Sequence, residues 1–422
     1  MSERRKAQGA GREAQGGRGI AELSFTGTRI IERVISAADA EHPADRLLRE
    51  ELKSVKSLSA RETTEISQTV FAYYRWFGWL DEGDSLTTRL GRARELDTRF
   101  RDDPGSFRDD EMIERAVPKW ISAEIKVTAK WARSLQKEPA VWLRAQSARR
   151  EAQGAGREEQ SAGRKAQGEE VRMALGDCRP LGDGPLANTL EYRGKKDLFL
   201  TPEFHAGLFE IQDVNSQMVS LVCAPRPGET WWDACAGEGG KLLHLSDLMN
   251  NKGLIWASDR AEWRLKNLKR RAARAGVFNY RTVPWDGGSR RPTKTHFDGV
   301  LVDAPCSGVG TWQRNPHARW TLRPQDVSEL AALQTNILAH AAPAMKPGGK
   351  LIYAVCTLTR SETAEVAERF SRDHPQFKPL AFKNPVNGRD CAAGQYIFDP
   401  AEHRGNGMFV AAWRLDLAAG SV

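Results

Sequence analysis

From Trp231 onward, short apolar runs of strand length alternate with longer helical patterns. The runs share an apolar core that ends in small or acidic residues; they read TWWDACAG, GLIWASD, FDGVLVDAPCSG and KLIYAVCT. Between them lie helical patterns from Lys241 to about Met249, over 261–275 and near 326–345. This alternation predicts a doubly wound α/β fold with a mostly parallel sheet. Ligands of such sheets bind beyond the carboxyl ends of the strands, so those ends hold the candidate site.

The 422 residues exceed what one hydrophobic core usually holds, and the composition changes along the chain. Residues 20–138 have apolar side chains at helical spacing and a capping box at Ser59 and Glu62, which predicts an all-helical domain. Its tryptophans recur beside other apolar residues and are predicted to be core; they are Trp76, Trp79, Trp120 and Trp131. Residues 139–215 read as a small α+β module that starts with a strand at 140–145, and 216–422 form the sheet domain.

One low-complexity sequence, rich in Arg, Glu, Gln, Ala and Gly, occurs twice, at 3–18 and 149–170. It contains nothing to bury. We therefore predict that residues 1–19 are a disordered tail and that 149–170 is an insertion in the α+β module.

Composition narrows the class of protein. No run approaches the about 18 apolar residues of a membrane span, and the basic start lacks the apolar core of a signal peptide, so we expect a soluble, cytoplasmic protein without a membrane partner. We also expect a monomer. The six cysteines have no zinc-finger spacing, so we expect no metal and cysteines that act singly as thiols. The formal charge of +8 is compatible with a polyanionic partner.

Two basic segments are candidate nucleic-acid contacts. Residues 260–274 contain seven Lys or Arg against one acid, a pattern that fits an RNA-binding stripe and a solvated helix face equally well. Arg314, His317 and Arg319 follow the third strand-like run, and we expect them at the mouth of the cleft, in contact with a target strand.

A glycine-rich loop joins the first strand of the sheet to its helix. Its candidate cofactor-binding residues are Asp233, Ala236, Gly237, Glu238, Gly239, Gly240 and Lys241. Glycines there let backbone approach a ligand at a helix N-terminus. Asp259 ends the next strand and could accept both ribose hydroxyls of an adenosine, and Asp286 could accept the adenine amino group. The loop has neither the P-loop lysine nor GxGxxG spacing, which leaves S-adenosylmethionine as the best ligand.

Two cysteines end successive strands, in Asp303-Ala-Pro-Cys306-Ser-Gly308 and Ala354-Val-Cys356-Thr357. The usual right-handed crossover makes these strands neighbours, so both thiols would share one cleft with Asp303 and a methyl donor. Cytosine C5 is a poor nucleophile until a group adds to C6, and a thiolate suits that addition. The alternative is that each cysteine is a small buried hydrophobe.

With Glu362 and the segment FEIQDVNSQ at 209–217, these motifs resemble the RNA (cytosine-5)-methyltransferases of the RsmB/NSUN class, in register from about Trp142 to Phe409. The N-terminal helices look like the NusB-like RNA-binding domain attached to the bacterial 16S ribosomal RNA member. The resemblance implies a Rossmann-like, S-adenosylmethionine-dependent methyltransferase domain behind a NusB-like domain.

The resemblance also implies roles. Cys356 would be the nucleophile on C6, Cys306 would assist release of the methylated base, and Asp303 would bind the cytosine N3/N4 edge. Asp259 would hold the ribose and Asp286 the adenine. The remaining cofactor contacts would come from Gly237, Gly239 and Lys241 around the methionine, and from Arg264, which fits the family's arginine five residues after the ribose acid.

One departure from the family stands in the cofactor loop, where Glu238 replaces a proline. This carboxylate could pair with the methionine ammonium or crowd the methionine carboxylate. The substrate implied is 16S ribosomal RNA, with transfer RNA as the alternative. A reading from another class is an RNA-binding ribosome-assembly factor with weakened catalysis, for which Glu238 is the sequence argument.

Overall fold

The computed structural model describes residues 24–146 and 167–416. The tail 1–19 and the first part of the insertion therefore lie outside the described residues, and the chain resumes in a helix at 167–175. A helical region precedes a small antiparallel sheet and a large, mostly parallel one, as the sequence predicted. Within the described ranges, no helix is long and apolar enough to cross a membrane.

The helical region has a capping box at the start of its third helix, where Ser59 Oγ accepts from the backbone of Glu62 and Glu62 accepts from the backbone of Ser59. In the described part of this region the α-helices are α1 (Phe25–Ala37), α2 (Ala44–Ser54), α3 (Ala60–Arg75), α4 (Leu86–Asp102), α5 (Asp109–Arg115) and α6 (Ala129–Ser134). Apolar residues at helical spacing bury one face of each long helix, which packs the helices together.

The tryptophans of this region are core, as predicted. Trp76 and Trp131 are buried, and Trp79 and Trp120 are half-buried against the same cluster. This cluster also contains Trp312, which belongs to the sheet region, so the cluster is shared between the helical region and the sheet region.

A four-stranded antiparallel sheet of order β2–β3–β1–β4 follows. Its elements are β1 (Val141–Ala145), α7 (167–175), β2 (Cys178–Pro180), β3 (Thr189–Tyr192), α8 (Pro202–His205) and β4 (Phe209–Ile211). The expected strand at 140–145 is β1. The final residues of the predicted insertion, 167–170, belong to α7.

The large sheet has the order β10–β14–β9–β8–β5–β6–β7, with β13 paired to β14. Its first half comprises α9 (Val214–Cys223), β5 (Thr230–Asp233), α10 (Gly240–Leu248), β6 (Leu254–Ala257), α11 (Glu262–Ala275) and β7 (Tyr280–Thr282). The second half comprises β8 (Phe297–Asp303), α12 (Ala318–Thr321), α13 (Pro324–Ala341), β9 (Met345–Val355), α14 (Ala364–Asp373), β10 (Phe377–Pro379), β11 (Phe382–Lys383), β12 (Asp390–Cys391), β13 (Gln395–Phe398), α15 (Pro400–His403) and β14 (Met408–Leu415).

The strand order fixes where the site lies. Strands β5 to β9 of the large sheet are parallel, and β14 is antiparallel to β9. The chain runs outward from β5 through β6 to β7, then returns to β8 on the other side of β5. This reversal opens a crevice beyond the carboxyl ends of β5 and β8, and the predicted adjacency of β8 and β9 is confirmed.

Candidate active site

A cavity of about 510 Å³ opens beyond the carboxyl ends of β5, β6, β8 and β9. The predicted site residues that line it are Ala236, Gly237, Glu238, Gly240, Lys241, Asp259, Arg264, Asp286, Asp303, Cys306 and Cys356. The strand ends thus bring together the residues that the sequence assigned to the cofactor and those that it assigned to chemistry. Gly239 and Asp233 do not line this cavity and have other positions.

Gly239 shapes the loop rather than the wall of the cavity. It is the N-cap of α10 with a φ of +85°, and a Cβ there would lie 2.7 Å from Leu268 Cγ. Gly237 also has a positive φ, of +54°. L side chains rarely adopt such angles, so the loop needs glycine at both positions to bring its backbone to the cavity.

Asp259 holds the glycine loop from the next strand. Its Oδ2 accepts from Gly237 N at 3.0 Å and its Oδ1 accepts from Ala261 N at 2.8 Å. Arg264 Nη1 lies 4.0 Å from Asp259 Oδ2, so both polar groups face the same end of the cavity. Asp286 is exposed, and its Oδ1 accepts from Gly288 N at 2.8 Å.

Glu238 lies at the exposed edge of the glycine loop and also lines the cavity. It is exposed, and its Oε1 accepts from Asn267 Nδ2 on α11 at 3.2 Å. Its carbonyl oxygen accepts from Arg271 Nη1 at 3.2 Å.

Asp233 lies behind the cavity wall, with 1% of its surface exposed. Burial raises the pKa of its carboxyl to about 8, and the charge of Asp303 acts in the same direction. An acid with this pKa is mainly protonated at neutral pH. Asp233 therefore supports the loop from beneath without adding a full negative charge to the site.

Lys241 and Asp303 form an ion pair in the middle of the site. Lys241 Nζ donates to Asp303 Oδ2 at 2.6 Å, across 62 residues of sequence. Burial lowers the pKa of Lys241, but the charge of Asp303 and the hydrogen bond to it outweigh burial, and the pKa is raised overall. Lys241 therefore stays charged beside the two cysteines.

The two predicted thiols touch. Cys306 Sγ and Cys356 Sγ are 3.2 Å apart. The hydrogen bond from Cys306 lowers the pKa of Cys356, and the charge of Lys241 acts in the same direction, against burial and Asp303. The same hydrogen bond, burial and the charges of Cys356 and Glu362 raise the pKa of Cys306. The pair therefore favours a Cys356 thiolate that accepts a hydrogen bond from a Cys306 thiol.

Glu362 accepts hydrogen bonds from the segments that follow Cys306 and Cys356, which we call the two cysteine loops. It is fully buried, and Ser307 donates to it through its backbone N–H at 2.8 Å and through its hydroxyl. Thr357 Oγ1 and Thr359 Oγ1 donate to Glu362 Oε2 at 3.1 and 2.7 Å, and Gln334 Nε2 donates to Oε1 at 2.9 Å. Ser307 directly follows Cys306 and Thr357 directly follows Cys356, so one carboxylate holds both cysteine loops.

The expected contacts of His317 and Arg319 with a target strand are wrong, because the fold buries both side chains against the helical region. The expected contact of Arg314, which is partly exposed, stays a prediction. Arg319 is fully buried and donates to the carbonyl oxygens of Ala116 and Leu135 in the helical region, at 2.8 and 3.1 Å. His317 is buried beside Tyr74, with ring centroids 4.7 Å apart. Arg314 forms an ion pair with Asp213 at 3.2 Å.

The basic side chains of residues 260–274, here called the basic stripe, divide into two sets. Arg271 and Arg274 pair with the buried carboxylate of Glu210 and are structural. The remaining basic side chains of the stripe are exposed; they are Arg260, Arg264, Lys266, Lys269 and Arg270. Trp263 is 57% exposed among them, and its ring lies 5.4 Å from the Arg264 guanidinium carbon.

Several residues of the site were not identified from the sequence. Trp285, Leu333 and Ile337 form an apolar wall of the cavity, and Ser216 of α9 also lines it. Leu333 and Ile337 follow the ordinary apolar spacing of a helix, which gives no signal for a ligand. Glu362 was part of the resemblance, but nothing in its spacing predicted that it holds both cysteine loops.

Comparisons with known proteins bear on this geometry. Residues 220–414 match the family model described as 16S rRNA methyltransferase RsmB/F. "Probable ribosomal RNA small subunit methyltransferase B" of Synechocystis sp. is 36% identical over 218 residues, which are 50% of this chain and 48% of the relative. A protein of the same name from Bacillus subtilis is 39% identical over 178 residues, 42% of this chain and 40% of that relative. The chain thus spans about half the length of the curated relatives it matches.

Solved structures share the fold. The crystal structure of PH0851 covers 92% of this chain and 98% of its own, with a TM-score of 0.71 and 24% identity. The structure of NSun6 from Pyrococcus horikoshii with SFG covers 68% of this chain and 93% of its own, with a TM-score of 0.55 and 19% identity. The family match of residues 220–414 and the curated relatives confirm the resemblance to the RsmB/F family that the motifs indicated.

Proposed function

We propose that this chain methylates C5 of a cytosine in RNA, with S-adenosylmethionine as the methyl donor, because residues 220–414 match the family model described as 16S rRNA methyltransferase RsmB/F. The observation that carries the proposal is the contact of Cys306 and Cys356 at 3.2 Å, beside the Lys241–Asp303 ion pair and in the cavity that the glycine loop lines.

The residues of the cavity fit S-adenosylmethionine. Asp259 is the acceptor for the ribose hydroxyls, Asp286 is the acceptor for the adenine amino group, and Trp285, Leu333 and Ile337 offer an apolar wall for the ring. The methionine end meets the backbone of Gly237 and Gly240. S-adenosylmethionine, when bound, supplies an electrophilic methyl group.

The side chains at the thiol end divide the chemistry. Cys356, whose pKa is lowered, adds as a thiolate to C6 of the cytosine and makes C5 nucleophilic. Asp303, with its side chain 29% exposed at the cavity, binds the N3/N4 edge of the base, while Lys241 keeps the carboxylate in place. Cys306 stays protonated during the addition. After methyl transfer, C5 loses its proton to solvent and the Cys356–C6 bond breaks, which restores the base and the Cys356 thiolate; Cys306 assists this release.

The substrate we propose is 16S ribosomal RNA, with transfer RNA as the alternative. The relatives from Synechocystis and Bacillus are named as ribosomal RNA small subunit methyltransferases. The exposed part of the basic stripe adds support, because basic side chains beside an exposed aromatic ring suit an unpaired RNA segment. We propose that the helical region, residues 20–138, is an RNA-binding domain of the NusB type that precedes an α+β module (139–215) and the catalytic domain (216–422).

An RNA-binding assembly factor with weakened catalysis remains the competing function. Its only sequence argument is Glu238, and that side chain bonds to Asn267 at the exposed edge of the loop. The intact thiol pair and the ion pair beside it favour the enzyme.

Two cysteine variants test the proposal. We expect Cys356→Ala to form no covalent adduct with RNA and to transfer no methyl group. We expect Cys306→Ala to transfer one methyl group and stay attached, giving a denaturing-gel band that holds protein and tritiated methyl. Cys178→Ala is the matched control, because this thiol lies in β2, outside the cavity, and should leave turnover unchanged.

Two results would contradict this assignment. If the adduct forms with Cys356→Ala and not with Cys306→Ala, the thiol of the Pro-Cys motif is the nucleophile. If both variants turn over like the control, the cysteines are buried hydrophobes and the covalent mechanism is wrong.

A further inference from the structure

Both cysteine loops are built into the core of the helical region. Val309 and Trp312, after Cys306, belong to the cluster that surrounds Trp131, and Leu358, after Cys356, packs against it. The rings of Trp312 and Trp131 are stacked, with centroids 6.1 Å apart and planes 22° apart. The loops that carry the reactive thiols therefore rest on the helical region as well as on their own sheet.

One side chain of the helical region, that of Glu124, accepts two hydrogen bonds from the second cysteine loop. Glu124 Oε2 accepts from Ser361 N at 3.0 Å, and Glu124 Oε1 accepts from Ser361 Oγ at 2.8 Å. The Glu124 carbonyl oxygen also accepts from Arg360 N at 3.2 Å. These contacts join residues 237 positions apart and fix both the backbone and the side chain of Ser361.

Ser361 precedes Glu362, the buried carboxylate that holds Ser307 and Thr357 beside the two cysteines. Ser361 therefore connects the two parts: hydrogen bonds join it to Glu124 of the helical region, and a peptide bond joins it to Glu362. A shift of Ser361 moves Glu362, and with it the relative position of the two cysteine loops.

Resting on the proposed function, we propose that Glu124 is a positioning residue for the reaction. Through Ser361 it holds Glu362 in register with both cysteine loops, and so keeps the Cys306 thiol directed at Cys356. The helical region then has a second role beside RNA binding, because it completes the alignment of the thiols.

The physical basis is the short range of the contact between the thiols. Donation by Cys306 is the largest cause of the lowered pKa of Cys356, and a hydrogen bond weakens steeply with a loss of alignment. Displacements of about 1 Å at reacting groups cost up to about 100-fold in rate. Release of Ser361 therefore affects the chemical step before it affects binding of RNA or cofactor.

The test uses the full-length protein with Glu124→Ala and, as its control, Glu111→Ala. Glu111 accepts from Trp79 Nε1 at 2.5 Å in the same helical region, and its hydrogen bonds within the described residues go to Trp79 and Asp110, not to the cysteine loops. We expect Glu124→Ala to lower kcat about 10- to 100-fold, with KM for RNA and for S-adenosylmethionine within about twofold. The pH profile of Cys356 alkylation by iodoacetamide should move to higher pH. Glu111→Ala should keep kcat and the alkylation profile.

If Glu124→Ala folds poorly, Glu124→Gln serves as the second variant. It keeps one acceptor oxygen for Ser361, and we expect it to keep most of the wild-type rate. The inference is overturned if kcat and the alkylation profile of Glu124→Ala equal those of Glu111→Ala, since Glu124 then serves stability alone. Wild-type protein that methylates no RNA would instead contradict the proposed function. The alkylation profiles would still decide whether Glu124 aligns the thiols.

Discussion

The two ends of the cavity are built in different ways. At the cofactor end, Asp259 accepts from Gly237 only 22 residues away, within one strand–helix–strand unit. At the thiol end, Cys306 meets Cys356 across 50 residues, and Glu124 reaches Ser361 across 237. The glycine loop at the first end is held within one local unit of the sheet, whereas the thiol loops at the second end also contact the helical region.

This difference teaches which parts of the site can fail separately. The glycine loop keeps its shape through its own backbone angles and Asp259, so damage to the interface between regions should leave it intact. The thiol loops depend on contacts made by the helical region, so damage there should reduce chemistry while the cofactor still binds. Three predictions address this comparison.

The largest effect is expected from Arg319→Met. Arg319 is fully buried, and its guanidinium supplies hydrogen bonds to carbonyl oxygens of Arg75, Ala116 and Leu135 in the helical region. Loss of these bonds should lower the free energy of unfolding by about 3–5 kcal/mol, measured by urea denaturation. Calorimetry on the folded variant should show unchanged affinity for S-adenosylmethionine, because the glycine loop has its own supports.

The control for this prediction is Arg323→Met. Arg323 is exposed and pairs with Asp326 three residues later, so its loss should cost less than about 1 kcal/mol. If Arg319→Met costs no more than Arg323→Met, the interface is not what holds the thiol loops.

The intermediate effect is expected from Asp259→Ala. Hydrogen bonds to a charged acceptor contribute about 1–3 kcal/mol, so affinity for S-adenosylmethionine should fall about 5- to 150-fold in calorimetry. Alkylation of Cys356 should keep its rate, since the thiol end is supported elsewhere. Asp259→Asn keeps one acceptor oxygen, so its affinity for S-adenosylmethionine should lie between those of the wild type and Asp259→Ala. Unchanged affinity in the alanine variant would refute the ribose contact.

The smallest effect is expected from Glu238→Ala. The side chain is exposed and bonds to Asn267, so S-adenosylmethionine affinity should stay within about twofold of wild type. Gly239→Ala, in the same loop, should instead abolish binding, because its Cβ would meet Leu268 at 2.7 Å. A tenfold change in Glu238→Ala would mean that this carboxylate reaches the methionine after all.

The sequence predicted which residues of both ends come together, but not the contacts that hold the thiol end, for a physical reason. In a parallel sheet, consecutive strand ends must meet at one edge, so Asp259, Asp303 and both cysteines could be placed together from their order alone. The Lys241–Asp303 pair and the hold of Glu362 on both loops depend on side-chain packing across long separations, which no spacing encodes. Arg319 shows the same limit. A basic residue that follows a strand end is predicted from sequence to contact RNA at the surface, but the structure buries its side chain completely.

The shared core around Trp312 also bears on how the chain is made. Arg319 follows Arg75 by 244 residues, so a ribosome needs on the order of tens of seconds to supply it after the third helix has emerged. During that interval the apolar face around Trp76 and Trp131 lacks Trp312, and the carbonyl oxygens of Ala116 and Leu135 lack their donor. The helical region, although first to be synthesised, therefore completes its core only when the sheet region arrives.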